Sequence, residues 1–354
     1  VNWPLAVSTW GESERDALIK VIDSGRFTMG EKVSEFEKEY AAWVNTSYAV
    51  MVNSGSSANL LMVAAYTLRH GPGTVIVPAV SWSTSYAPFQ QYGWKLKFVD
   101  IDPDTLNYSI PELEKAYTGS ELILAVNLLG NPNEYMRFPS MNVLEDNCES
   151  MGAVYAGMRT GNFGVMASHS TFFSHHMQTM EGGIITTDDE YYYQMLLCLR
   201  SHGWTRHLPE KNVFGVKPSA YDFLFPGYNV RPIEMMGAVG IEQLMKLEQL
   251  IGYRRENAEK WMVHCEHRDW WYQKEVENGK SSWFAFAIVH DEIEEIKKEL
   301  QEKDIEYRPL VAGNFVKSPS IKYYNYEAGS LPNADRVHEK GIYIGNHHQE
   351  LHFD

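Results

Sequence analysis

Basic residues are scarce in this 354-residue sequence: 31 Lys and Arg stand against 46 Asp and Glu, a formal charge of -15. That balance favours solubility and argues against a nucleic-acid or anionic-membrane surface, since both are bound through clustered Lys and Arg. An anionic substrate would therefore need a local basic pocket. Cysteine is scarce as well. Cys148, Cys198 and Cys265 stand far apart with no C-x-x-C pair, so one chain can assemble neither a disulfide framework nor a four-thiolate cluster. Reduced, buried thiols in a cytoplasmic protein are the expectation. No apolar run reaches the roughly 20 residues of a membrane-spanning helix. Val1 to Trp10 lacks the basic and apolar stretches of a secretory leader. Repeats, low-complexity tracts, a Walker lysine and an H-E-x-x-H helix are also missing.

What is present alternates. Glu12 to Ser24 has a helical pattern, with Ala17, Leu18, Val21 and Ile22 on one side and Gly25 to close it. A second helical pattern runs from Lys32 to Trp43. Then seven short apolar runs are separated by helical stretches: Tyr48–Val52, Thr74–Val77, Leu96–Val99, Leu122–Val126, Val143–Leu144, His169–Phe173 and Gly183–Thr187. Runs of this size predict a mostly parallel seven-stranded sheet in an α/β layer fold. Beyond Pro232 the texture changes. A long helical pattern from Ile233 to about Trp261 carries Met236, Val239, Leu244, Leu247 and Leu250. A strand-like piece at Trp283–Val289 and an acidic amphipathic helix from Asp291 to Lys303 follow. The expected division is a large domain over residues 1–240 and a smaller α+β domain over 241–354.

In open α/β sheets ligands sit beyond the carboxyl ends of the strands, and unusual residues fall there. After Tyr48–Val52 come Ser54, Gly55, Ser56, Ser57 and Ala58. Small residues and hydroxyls at a helix N-terminus can cradle a phosphate, and a plain serine cap is the alternative. After Thr74–Val77 comes Trp82, whose indole could stack on a flat ring or simply pack. After Val143–Leu144 comes Asp146, then Glu149. A carboxylate leaving a buried strand asks for a cation, such as a protonated pyridine nitrogen, or serves as a helix cap. The adjacent His175 and His176 invite a metal reading, but neighbours on an extended chain point apart and no third ligand is clustered with them, so no metal is expected.

From Pro4-Leu5-Ala6 to Gly345-Asn346-His347-His348, these segments resemble the nucleotide-sugar aminotransferases of the type I pyridoxal-phosphate (PLP) fold. The resemblance implies that Gly55, Ser56 and Ser57 hold the cofactor phosphate together with Ser170, that Trp82 stacks on the ring and that Asp146 pairs with the pyridine nitrogen. It places Glu149 near the ring hydroxyl, and it has Asn229, in Gly227–Arg231, cross a homodimer interface to the partner's phosphate. The anchoring lysine is absent. Counting five residues from Ser170, or six back from Glu181, lands on His175, which cannot form an internal Schiff base. Ser-His-His-Met-x-Thr-Met-Glu-Gly-Gly resembles the signature of a 3-dehydratase sub-family acting on a GDP-linked 4-keto-6-deoxymannose, on the route to colitose in lipopolysaccharide O-antigens. Related pieces are Ser8-Thr9-Trp10, the segments around Arg26 and Arg200, and Arg308 to Phe315. A sibling sub-family shares the histidine but carries an iron–sulfur cluster on closely spaced cysteines, which this sequence lacks.

The resemblance thus implies L-glutamate as amino donor to PLP, giving pyridoxamine phosphate (PMP) and 2-oxoglutarate, and then loss of the sugar's C3 hydroxyl with release of ammonia. His175 would be the acid and base, suited by a pKa near working pH. Arg26, Arg200 and Arg308 are candidates for the diphosphate, with surface arginines as the alternative for Arg26. One segment departs from the family pattern. Between Asn133 and the strand bearing Asp146 the family inserts a helix, where here only Glu134 to Met141 intervenes. Two other functions stay open at this stage: an aminotransferase making a 4-amino sugar, and a non-catalytic PLP-fold protein that binds a nucleotide sugar.

Overall fold

A computed structural model describes residues 2–353. Two amphipathic helices, α1 (Glu12–Ser24) and α2 (Glu31–Val44), precede the first strand. Gly25 ends α1 in the left-handed region at φ 67°, where a Cβ is disfavoured. α1 buries Glu14, Ala17 and Val21. Ile22, expected on the inner side, is 53% exposed, because the inward stripe is set by Ala17 and Val21, which pack on Ala238 of a later helix.

The strand and helix alternation that follows is β1 (Tyr48–Val52), α3 (Gly55–His70), β2 (Thr74–Pro78), α4 (Ser83–Gln91), β3 (Lys95–Val99), α5 (Ile110–Ala116), β4 (Leu122–Val126) and β5 (Val143–Asp146). A small excursion, β6 (Val154–Tyr155) and β7 (Met158–Arg159), leads to β8 (Met166–Ser170), β9 (Gly183–Thr187) and α6 (Glu190–Arg200). The central sheet has the order β1-β9-β8-β5-β4-β2-β3, with β13 (Tyr326–Ala328) added beside β3. Only β9 runs against the rest. All seven expected strands are present. The eighth, β13 (Tyr326–Ala328), comes from the C-terminal part and pairs in parallel with β3. Three partly exposed residues at an edge carry no run of apolar residues to announce them.

The strand expected at His169–Phe173 is Met166–Ser170. Pairing with β9 stops at Ser170↔Gly183. Beyond it the Thr171 hydroxyl turns to that of Thr179, and Phe172 and Phe173 face outward. Their apolar side chains mimic a continuing strand, while the backbone is already the loop that bears His175.

Helix α7 (Glu234–Glu266) is 33 residues long, so residue 240 lies within a continuous rod. Its first half lies against α2 with glycines at the crossing. A Cβ on Gly240 would stand 2.8 Å from the Phe36 ring, and one on Gly237 2.5 Å from the Val33 nitrogen. Its second half joins another core, where Ala258, Trp261 and Cys265 pack with Phe286, Ile288, Ile296 and Ile344. That core covers the sheet of β11 (Ala285–Val289), β14 (Gly341–Gly345) and β12 (Tyr307–Pro309). The short β10 (Gly279–Lys280) pairs with β6, and α8 (Ile293–Glu302) and α9 (Pro332–Lys340) complete this part. Trp3 also belongs to this second core, and its indole donates to the Gly345 carbonyl.

The shortened stretch after Asn133 forms a single turn at Tyr135–Arg137. Tyr135 is buried, stacks on Phe163 at 4.3 Å and donates to Glu145. Phe138 packs beside it. Two aromatic rings therefore cover the sheet face there.

Candidate active site

The carboxyl ends of β1, β2, β5 and β8 open into one cavity of about 570 Å³, within the range of small-molecule sites. Ser54 caps α3 by accepting from the Ser57 amide. Its hydroxyl also donates to that of Ser57, so Ser57 serves the cap and does not line the cavity. Gly55 and Ser56 do line it. Gly55 sits where no side chain fits: a Cβ would come within 2.7 Å of Ser170 Cβ and 2.9 Å of Cys148 Sγ. The first turn of α3 is thereby pressed against the end of β8, and the hydroxyls of Ser56 and Ser170 border the same space.

Asp146 leaves β5 with 4% exposure. One carboxylate oxygen accepts from Asn59 Nδ2 at 2.9 Å and Ser85 Oγ at 2.7 Å, the other from the Cys148 amide at 3.1 Å. A buried anion held by three neutral donors is oriented but not neutralised, and so remains available to a cation. Trp82, the residue before α4, is 57% exposed and lines the cavity. Glu149 accepts from the Leu129 amide at 2.9 Å. Burial pushes its carboxyl up to about 7, and the Leu129 amide acts the other way. Burial and the nearby Asp146 likewise hold the Cys148 thiol well above its usual range.

His175 lines the cavity and lies 4.9 Å from the Phe284 ring, centroid to centroid. Burial, aided by the Arg254 guanidinium, pushes its imidazole down to about 3, which corrects the expectation of a pKa near working pH. His176 turns the opposite way, fully buried, with Nε2 donating to the Ser282 carbonyl at 2.9 Å. No residue lining this cavity is a lysine among those described. The loop that follows is stitched to the N-terminal segment: Gln178 accepts from the Thr9 amide and donates to the Val7 carbonyl, while the Trp10 indole donates to the Gln178 carbonyl.

The arginines divide. Arg308 lines the cavity from β12. Arg200 does not: it is 3% exposed, and its guanidinium bonds to the Glu37 carboxylate and the Met51 carbonyl under β1. Its assignment to the diphosphate is corrected, since a guanidinium sealed behind the sheet cannot meet a ligand. Arg26 is exposed, paired with Glu31 at 3.3 Å, and outside the cavity. Asn229 is exposed, accepts from Arg231 Nε at 2.9 Å, and also lies outside this chain's cavity.

Asn59, Ser85, Phe284, Tyr343 and Arg254 were not foreseen from the sequence. The first two sit one helical turn into α3 and α4, facing the strand ends, which the spacing Ser54–Asn59 and Trp82–Ser85 could have suggested. Arg254, Phe284 and Tyr343 come from distant segments with no local signal.

The residues present fit a phosphorylated pyridine. The cavity has a helix N-terminus with hydroxyls at one end, an oriented buried carboxylate, an exposed indole, and no lysine to tether the ring.

The chain matches the model of the DegT/DnrJ/EryC1/StrS aminotransferase family over residues 9–352. It is 47% identical to a GDP-4-keto-6-deoxy-D-mannose 3-dehydratase of Yersinia pseudotuberculosis, covering 99% of this chain and 95% of that one. It is 48% identical to the protein of the same name from Escherichia coli O55:H7, with 99% and 97% covered. A solved GDP-4-keto-6-deoxymannose-3-dehydratase with a trapped PLP-glutamate geminal diamine superposes with a TM-score of 0.93 at 46% identity, covering 99% and 97%. By fold, by site and by these likenesses, the chain belongs to the DegT/DnrJ/EryC1/StrS aminotransferase family.

Proposed function

We propose that this chain removes the C3 hydroxyl of GDP-4-keto-6-deoxy-D-mannose, using PLP/PMP and L-glutamate as amino donor. The observation that carries the reading is His175 at the cavity wall with no lysine beside it, at the position where the motif's spacing puts the family's anchoring lysine. The curated relatives named above are 3-dehydratases of this substrate, and the solved relative holds PLP joined to glutamate. Bound in this cavity, PMP would supply an amine for the C4 ketone and a ring able to take up the electron pair left by C–H cleavage.

The chain's own residues divide the remaining work. The first turn of α3, with Ser56 and Ser170, receives the phosphate. Asp146, fixed by Asn59, Ser85 and the Cys148 amide, keeps a proton on the pyridine nitrogen. Trp82 covers one ring face. Glu149, with its carboxyl close to neutrality, meets the ring hydroxyl. His175, neutral at working pH, takes a proton from carbon and returns one to the departing C3 hydroxyl. Arg308 offers its guanidinium to the anionic part of the nucleotide sugar. In a homodimer, Asn229 would serve the partner's phosphate site. A cytoplasmic location suits a reaction that draws on glutamate and a nucleotide sugar.

The atoms balance. The sugar loses one oxygen, and converting glutamate to 2-oxoglutarate and ammonia takes up one. Incubation with PLP, L-glutamate and GDP-4-keto-6-deoxy-D-mannose should therefore yield a sugar lighter by one oxygen, with 2-oxoglutarate and ammonia in equal amounts. A product that has gained nitrogen would make the chain an aminotransferase. A protein that neither takes up PLP nor turns over glutamate would make it a binding protein.

A further inference from the structure

Behind the cavity, on α7, Arg254 is 3% exposed and has no carboxylate within ion-pair distance among the described residues. A buried cation is costly unless its donors are met, and here three main-chain carbonyls meet them. Nη1 donates to Phe284 O at 2.8 Å and to Asn346 O, and Nη2 donates to His175 O at 3.0 Å. The guanidinium thus ties together the loop that bears His175, the segment that sets Phe284 against the imidazole, and the turn after β14. Asn346 closes the arrangement, donating to the carbonyls of Arg254 and Trp283. A planar fork can serve three acceptors at fixed angles, which an ammonium cannot.

We propose that Arg254 is a positioning residue for His175: its fork fixes the peptide that carries the imidazole, and its unpaired charge adds to burial in disfavouring the imidazolium until a proton is delivered from carbon. The inference rests on the reading of His175 as acid and base. A cation without a counter-ion disfavours the imidazolium. Once protonated, His175 is then a strong acid that readily passes its proton to the leaving hydroxyl. Although burial lowers Arg254 itself to about 9, it stays charged at neutral pH. The other titratable groups around the imidazole are His176 on its own loop, Asp146 at the end of β5, Cys148 and Glu149 just after it, Glu181, and Arg308 and Tyr343 from the C-terminal sheet. None of these is altered in the test.

The test uses the full chain labelled at histidine. The His175 resonance is assigned by its loss in His175→Asn and followed from neutral pH down to the onset of acid unfolding in wild type, Arg254→Gln and Arg254→Lys. Arg254→Gln removes the charge and keeps one donor nitrogen, so the His175 titration should move up by about one pH unit or more. Arg254→Lys keeps the charge but not the fork. Its titration should stay near that of wild type, while kcat falls about 10²-fold from misplacement of the base. The acid limb of the kcat/KM profile should rise in Arg254→Gln alone. An unmoved His175 titration in Arg254→Gln refutes the electrostatic half. Wild-type kcat in Arg254→Lys refutes the positioning half and decides that half even if Arg254→Gln fails to fold. The titration needs no substrate, so a wrong substrate assignment would leave its outcome unchanged.

Discussion

Gly55→Ala adds a methyl group to a place where two elements already touch. Its carbon would lie 2.7 Å from Ser170 Cβ and 2.9 Å from Cys148 Sγ, whereas carbon atoms in contact sit at about 3.5–4.0 Å. The first turn of α3 must back away by about 1 Å or β8 must yield. Ser54 O also lies close against the Gly183 backbone, 2.1 Å from where a Cβ on that residue would be, so the turn has little slack there. Overpacking of this kind costs about 1–3 kcal/mol, which for a chain of this length lowers Tm by about 1–4 °C. The same shift turns the α3 amides away from the phosphate. Losing one charge-assisted hydrogen bond, about 1.5–3 kcal/mol, weakens PLP binding by about ten- to a hundredfold. Thermal unfolding of the cofactor-free protein and a spectroscopic PLP titration read the two effects separately. Adding Ser170→Gly to Gly55→Ala removes the closer contact and leaves the one to Cys148, so it should restore part of the Tm loss but not PLP affinity, because the serine hydroxyl is lost with it. A Gly55→Ala protein with the Tm and PLP Kd of wild type would refute the cradle.

Three further outcomes can be stated. His175→Asn should lower dehydration by at least about 10²–10⁴-fold while PLP still binds, since the cavity loses its base and none of its phosphate or ring contacts; turnover at the wild-type rate would unseat His175. Arg200→Leu should destabilise by about 3–5 kcal/mol in urea unfolding, because it leaves Glu37 under β1 without its cation; a raised KM with unchanged stability would return Arg200 to the substrate. Glu14 is buried against Lys246 at 2.6 Å, and its pKa is down at about 2: burial alone would raise it, but Lys246, the Gly11 amide and Gln243 together outweigh that. A depressed carboxyl stabilises above its unfolded pKa and loses that contribution as pH falls toward the folded value. Acid unfolding between about pH 4.5 and 2 should therefore be blunted in Glu14→Gln, and identical acid curves would count against the pair.

The site was legible where chemistry is written in consecutive residues at a strand end. Ser54 to Ser56, Trp82 and Asp146 each come just after an apolar run, Ser170 was named only through the family resemblance, and one mostly parallel sheet carries them to the same cavity. Direction was not legible. Arg200 stands beside a motif-like stretch, yet its side chain turns inward to Glu37, and nothing in local spacing distinguishes that from a cavity-facing arginine. Arg254 lies on a helix whose apolar stripe predicted only packing. What makes it special is three carbonyls contributed by residues 175, 284 and 346. The strand error at Phe172 and Phe173 has the same origin, since a run of apolar residues says nothing about where a ladder partner ends.

The two cores are interlaced. Trp3 lodges among residues near position 345, bonded across 342 positions of sequence, and stacks on His347, while Tyr326 to Ala328 return to extend the sheet begun at Tyr48. Neither lobe can therefore be finished on the ribosome before almost the whole polypeptide has emerged. Such long-range closure slows the last step of maturation and leaves an edge strand, β3, uncovered until then. A nascent chain halted before residue 326 would be a natural client for a chaperone.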